Sequence, residues 1–254
     1  LMIANAYVAL LSGAMLVLAW TAYRDMKPVL WWAGSSLSQF PAILLLAGGP
    51  AGSARSATVA GLVLLTLAAA LLLHAVRRFE GRRPIYLLIL AGPLAVAAIG
   101  LWPQPLPSGV FEAIGVAAET TYLAAAAWTI VRSRERLGSR WPLTILLSVH
   151  AATLALGPVA MATGIQFVSG RLSGLVHLES AVFLIGSTIF LVTGLREQSE
   201  IRQRRAASVD PLTGLLNRGS FFSFADAAAT RCLHQGEPLS VVIIDLDRFK
   251  SIND

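Results

Sequence analysis

The sequence predicts an all-α polytopic membrane bundle of about seven helices, followed by the start of a small α/β domain. Three observations carry this. Of 254 residues, 56% are hydrophobic and only 13% charged, about half the charge fraction of a soluble domain. The apolar residues fall into seven stretches, each long enough to cross a bilayer. After residue 209 the composition shifts abruptly, and the chain closes on the β-branched run LSVVIIDLD, Leu239 to Asp247, which reads as a strand covered on both faces.

The seven stretches are Ile3–Tyr23, Val29–Ala47, Ala57–Val76, Ile85–Trp102, Val110–Val131, Trp141–Thr163 and Leu175–Leu195. Roughly twenty residues at helical rise span about 30 Å, the thickness of the hydrocarbon core. Lipid cannot hydrogen-bond a peptide group, so such runs are helices. Pro41 and Pro93 interrupt the second and fourth, and kinks are expected there. The first run has no basic residues ahead of it and exceeds the apolar core of a signal peptide, so it is read as a span. The chain opens on Leu1 and closes in mid-pattern, which is expected of a piece of a longer protein. Cys232 is the only cysteine, so no intrachain disulfide forms.

The connecting loops are unequal in charge. Arg24 and Lys27 follow the first stretch, Arg77, Arg78, Arg82 and Arg83 the third, and Arg132, Arg134, Arg136 and Arg140 the fifth. Arg196, Arg202, Arg204 and Arg205 follow the seventh, while the alternate loops hold only Arg55 and Arg171. The positive-inside rule makes the basic set cytoplasmic, and seven helices then place the N-terminus outside and the C-terminus inside. Trp20, Trp31, Trp32, Trp128 and Trp141 fall near the same side, as an aromatic belt would. The net charge of +6 is therefore an orientation signal for a lipid bilayer, and no nucleic-acid partner is expected.

Ionisable groups inside spans are costly and are candidates for function. Glu112 and Glu119 share a face of the fifth stretch, seven residues apart. His150 sits mid-way along the sixth, and His177 and Glu179 open the seventh. Two readings stand side by side. These five residues line an outward-facing sensory cavity for a small ligand or metal ion, or Glu112, His177 and Glu179 sit at headgroup level and snorkel while Glu119 and His150 snorkel or pack. The spacing matches no metal motif. His74 is expected to snorkel at the cytoplasmic end of the third stretch.

Beyond the seventh stretch, GLREQSEIRQRRAAS meets no proline until Pro211 and reads as a helical stalk. The expected organisation is thus a membrane module over 1–195, a stalk over 196–209 and a separate segment over 210–254. In that segment Asp210 or Thr213 caps a turn and Gly214 breaks the helix. A second helix runs from about Asn217 to about His234, and Asp245 and Asp247 lie on one face at the strand's end.

DPLTGLLNR, Asp210 to Arg218, followed by PLSVVIIDLDRFKSIND, Pro238 to Asp254, resembles the opening of a GGDEF domain, the diguanylate cyclase family. Gly219 departs from the pattern, where a second arginine is usual. The resemblance implies the truncated start of an α/β domain that joins two GTP molecules into cyclic di-GMP, with Mg²⁺ or Mn²⁺ as cofactor. It implies that Asp245 and the carbonyl of Leu246 hold the metal, that Asn253 bonds guanine, and that Phe249 and Lys250 shape the nucleotide pocket. Asp254 would support that loop, and Asp247 would cap the segment after the strand. Asp210, Thr213 and Arg218 would couple signal to domain. One GTP per domain implies a homodimer, and the family implies a bacterial inner membrane. On this reading the chain is part of a membrane-anchored cyclase controlled by a transmembrane sensor with an unknown ligand. The alternatives are a catalytically inactive nucleotide-binding or regulatory GGDEF domain, with or without a following phosphodiesterase domain, and a transporter-like protein with an accessory tail.

Overall fold

The computed structural model describes residues 1–48, 55–104, 106–107, 109–133, 137–163, 170–206, 208–210 and 212–244. These form eight helices: α1 (Met2–Ala22), α2 (Pro28–Ala47), α3 (Arg55–Phe79), α4 (Leu87–Gly100), α5 (Val110–Val131), α6 (Arg140–Thr163), α7 (Gly170–Ala206) and α8 (Arg218–Gln235). The chain divides into two compact units, Leu1–Gln198 and Ser199–Asp254.

Six helices of the first unit are long and apolar enough to cross a membrane: α1, α2, α3, α5, α6 and the Gly174–Gln203 part of α7. The fourth predicted stretch is helical but short. Its regular part, α4, has 14 residues, about 21 Å at helical rise. Single turns extend it at both ends, where Leu88 N donates to Ile85 O and Trp102 N to Ile99 O. Its middle is also modified. Pro93 removes one helical donor, and the Tyr122 hydroxyl of α5 accepts from Gly92 N at 3.1 Å and donates to Leu88 O at 2.6 Å. Gly92 N and Leu88 O are the two ends of one helical rung, so the phenol bridges that rung. A Cβ on Gly92 would lie 2.6 Å from this phenol, so the contact requires glycine.

Helix α3 is central. Most of its apolar window is buried, against a third or less in the other five spans. Gly61, Ala68, Ala69 and Ala70 are among its buried residues, and small residues let neighbouring backbones come close. Ser35 of α2 donates to Ala68 O at 2.6 Å. The shared core includes Leu16, Val29, Trp32, Leu72, Val76, Leu147, Leu191 and Leu195. Leu11, Leu18, Leu94, Ile145 and Ile189 face outward. Such an apolar girdle suits a bilayer, since soluble monomers rarely expose one.

Two residues depart from their expected interfacial places. Trp32 is buried in the core rather than joining a belt, whereas Trp128 and Trp141 are exposed. His74 does not snorkel. It is buried between the rings of Trp31 and Tyr86, with centroids 4.6 and 5.3 Å away.

A polar cluster closes one end of the bundle, where the arginine-rich loops lie. Arg140 Nη2 meets Glu80 Oε2 at 2.7 Å. Ser139 Oγ donates to Glu197 Oε2 at 3.0 Å, and Arg82 Nη2 to Thr129 O at 3.3 Å. Helix α7 runs on through Glu197 as one helix of 37 residues.

The second unit contains a tight turn and α8. Gly214, at φ 71°, takes the left-handed conformation that the turn needs. Asn217 caps α8 by accepting from Ser220 N at 2.9 Å, and left-handed Gly236 ends it. The predicted helix and its limits therefore match. Of the predicted strand, residues 239–244 join no sheet among the described residues, with Val241, Val242, Ile243 and Ile244 exposed, and 245–247 lie outside the described residues. A strand exists only by pairing, and among the described residues the single β-contact is an isolated bridge between Val209 and Leu216.

Candidate functional site

The polar residues of the spans converge on one cavity of about 170 Å³ inside the first unit. Its polar lining is Asn5 of α1, Gln39 of α2, Glu119 of α5, His150 of α6, and His177 and Ser180 of α7. Ile43, Leu46, Leu65 and Leu154 form apolar walls. The α1 and α7 lining residues lie in the first turns of those helices' apolar parts, while those of α2 are near its C-terminal end. The cavity thus occupies the half of the bundle nearest the N-terminus of α1, which is the outer half in the predicted orientation.

His150 is held from two sides. Its Nδ1 lies 2.8 Å from Glu179 Oε2, and its ring stacks on Phe183 at 4.0 Å with an interplanar angle of 7°. The carboxylate and the aromatic face fix the ring, which leaves the Nε2 edge as its variable contact. The start of α7 is tied to α1, because Asn5 Nδ2 donates to His177 O at 2.8 Å. Ser180 donates to Val176 O at 2.8 Å, a helical back-bond that leaves its oxygen available to accept. Glu119 has no hydrogen-bond partner among the described residues.

Of the five residues predicted for a sensory cavity, Glu119, His150 and His177 line it, and Glu179 stands behind it through His150. Glu112 does not belong. It lies in the first turn of α5 and is exposed, where a carboxylate favours the positive end of the helix dipole. Its seven-residue spacing from Glu119 put both on one helix face, but α5 is 22 residues long, and one end of that face projects beyond the cavity. Asn5, Gln39 and Ser180 escaped the sequence reading, which searched for charge. The signal available was an uncharged amide in an otherwise apolar span. Among the described residues no cluster of three or more metal-ligating side chains occurs.

In the second unit, Asp210 organises the turn. Its Oδ1 accepts from Leu212 N at 3.0 Å, Thr213 N at 2.9 Å and Thr213 Oγ1 at 3.1 Å. The Thr213 backbone and hydroxyl donors, then the Leu212 amide, hold the carboxyl below the ordinary aspartate range. Asp210 N donates to Leu215 O at 2.8 Å and Asn217 N to Ser208 O at 2.9 Å, which ties the two ends of the turn together. Asp210 and Thr213 are thus brought together, while Arg218 stands exposed at the start of α8. Asp245, Leu246, Asp247, Phe249, Lys250, Asn253 and Asp254 lie outside the described residues.

The family match with known proteins lies within this unit. Residues 207–254 match the family described as diguanylate cyclase, GGDEF domain. An uncharacterized signaling protein of Caulobacter vibrioides is 46% identical over 71 residues, which is 27% of this chain and 9% of that protein. The diguanylate cyclase DosC of Escherichia coli is 42% identical over 64 residues, 25% of this chain and 14% of that enzyme. The diguanylate cyclase DgcM of Escherichia coli is 36% identical over 66 residues, 25% of this chain and 16% of that enzyme. The chain thus spans less than a fifth of the length of these relatives. No solved structure matches it. The C-terminal segment of this chain, residues 207–254, which holds the Asp210 turn and the helix capped by Asn217, thus matches the GGDEF domain of the diguanylate cyclase family.

Proposed function

We propose that the parent protein is a membrane-anchored diguanylate cyclase whose synthesis of cyclic di-GMP from two GTP molecules is set by the helical bundle. One observation carries the reading: DPLTGLLNR and VVIIDLDRFKSIND occur in order within the family match, behind a set of membrane-length helices.

Asp245 and the Leu246 carbonyl supply hard oxygen donors, the type that Mg²⁺ or Mn²⁺ takes. A divalent ion there would neutralise charge on the phosphates. The protein's own part is to bind and orient. Asn253 recognises guanine, Phe249 and Lys250 shape the pocket, and the turn at Asp210 and Thr213 links the stalk to the domain, with Arg218 beside it. Catalysis then takes place between two such domains in a homodimer, at the inner membrane, with the N-terminus of this chain outside. The intramembrane cavity is the input site for a small ligand.

The test is product formation from GTP by the purified full-length protein. Asp245→Ala is expected to lose more than 99% of cyclic di-GMP synthesis, and Asn253→Ala to weaken GTP binding. Near-normal turnover by Asp245→Ala would remove the catalytic assignment. A parent protein that binds GTP and makes no product would instead be a regulatory GGDEF protein.

A further inference from the structure

We propose that the bundle cavity binds a small organic monocation, a primary ammonium group on a compact hydrocarbon body, with Glu119 as its counter-ion. The inference rests on the cavity being the input site proposed above.

Charge is the first argument. Glu119, His150 and His177 line the space, and Glu179 stands behind His150. His150 and Glu179 satisfy each other at 2.8 Å. Glu119 faces the cavity with no hydrogen-bond partner among the described residues, and among the described residues no lysine or arginine lines the cavity. A carboxylate in a low-dielectric interior is strongly disfavoured unless a cation or several donors meet it. His150 thus pairs directly with Glu179 and acts on Glu119 only through space, so one imidazole stands between two carboxylates. The missing positive charge is the property a ligand would bring.

Donor and acceptor chemistry agrees. An ammonium group offers three donors and no acceptor. The oxygens of Glu119, the side-chain oxygen of Gln39 and the Ser180 hydroxyl are acceptors on the same cavity. A bare metal ion fits less well, since among the described residues no three ligating side chains come together. An anion would face the unpartnered carboxylate.

Size and wall chemistry set the body of the ligand. A cavity of roughly 150 Å³ lined by aliphatic side chains holds a benzene-sized molecule, and this one is about 170 Å³. Ile43, Leu46, Leu65 and Leu154 supply hydrocarbon contact. A cyclic or branched amine of about six to nine heavy atoms satisfies both limits.

The probes are benzylamine and benzyl alcohol, near-isosteres that differ in charge. Binding to the full-length protein in lipid nanodiscs is measured by calorimetry, with protein-free nanodiscs subtracted. Saturable benzylamine binding is expected, at least tenfold tighter than benzyl alcohol. Glu119→Gln should reduce the benzylamine affinity at least tenfold and bring the two probes together. Leu154→Phe, which fills the cavity without touching the charge, should weaken both probes alike. The inference is overturned if benzylamine shows no saturable binding, if the alcohol binds as well as the amine, or if both variants bind benzylamine like the parent. Binding is read without GTP turnover, so a failure here leaves the cyclase assignment standing, and loss of cyclase activity leaves this result standing.

Discussion

Arg140 and Glu80, sixty residues apart in sequence, form a 2.7 Å ion pair with side chains 9% and 2% exposed. Helix α6 begins at Arg140, and Glu80 directly follows the end of α3, so the pair fastens the central helix to the second half of the bundle. Removing one partner takes this contact from a buried charge, which destabilises the fold. Glu80→Ala and Arg140→Ala are each expected to lower the melting temperature of the detergent-solubilised protein. The double substitution should be less damaging than the sum of the two. Strict additivity would show that the two groups do not interact.

Tyr122 is predicted to matter through its hydroxyl alone. Tyr122→Phe keeps the ring and leaves Gly92 N and Leu88 O without their bridging partner. A loss of about 1 kcal/mol is expected, with faster amide exchange confined to α4. Exchange unchanged in α4 would mean that the helix closes that rung without the phenol.

The short α4 also sharpens the test of orientation. Reporter fusions after Arg83 and Arg140 are expected to report cytoplasm, and fusions after Gly52 and Ser108 the opposite side. If fusions after Arg83 and Ser108 report the same side, α4 does not cross, and the two ends of the bundle lie on the same side of the membrane.

Asp210 gives the second unit a defined pH response. Its carboxyl is held below the ordinary aspartate value by donors from Thr213 and Leu212. The depressed value makes the contribution of the turn fully present above the ordinary range, near pH 3.9, and lost as pH falls through the lower folded value. Titration of the Asp210 carboxyl, followed by its carbon chemical shift, should give a midpoint below that of an unstructured aspartate. A midpoint at or above it would contradict the three hydrogen bonds.

The helices were legible because membrane spans announce themselves by length and lipid permits few alternatives. The turn and α8 were legible because Asp210, Gly214, Asn217 and Gly236 are local signals whose partners lie within a few residues. The cavity was partly legible. Glu119 and His150 stood out as charges in apolar helices, but Asn5 and Gln39 acquire meaning only through three-dimensional packing. Glu80 was hidden among loop arginines, since charge counting records its sign and not its partner. Trp32 and His74 were misplaced for a related reason: a position near a helix end does not say which face of the helix is turned inward. The strand expected at Leu239–Asp247 depended on neighbours that the sequence pattern cannot supply.

That bare strand has a practical consequence. Leu239 to Ile244 contains no charge and no proline, is rich in β-branched residues, and leaves Ile243 and Ile244 91% and 84% exposed. Short uncharged β-formers with unpaired backbone recruit further strands and seed fibrils. A recombinant polypeptide with this sequence should precipitate from concentrated solution with cross-β character, and Val242→Lys should suppress it. Covering Val241, Val242, Ile243 and Ile244 with a folded sheet would therefore be a condition of solubility.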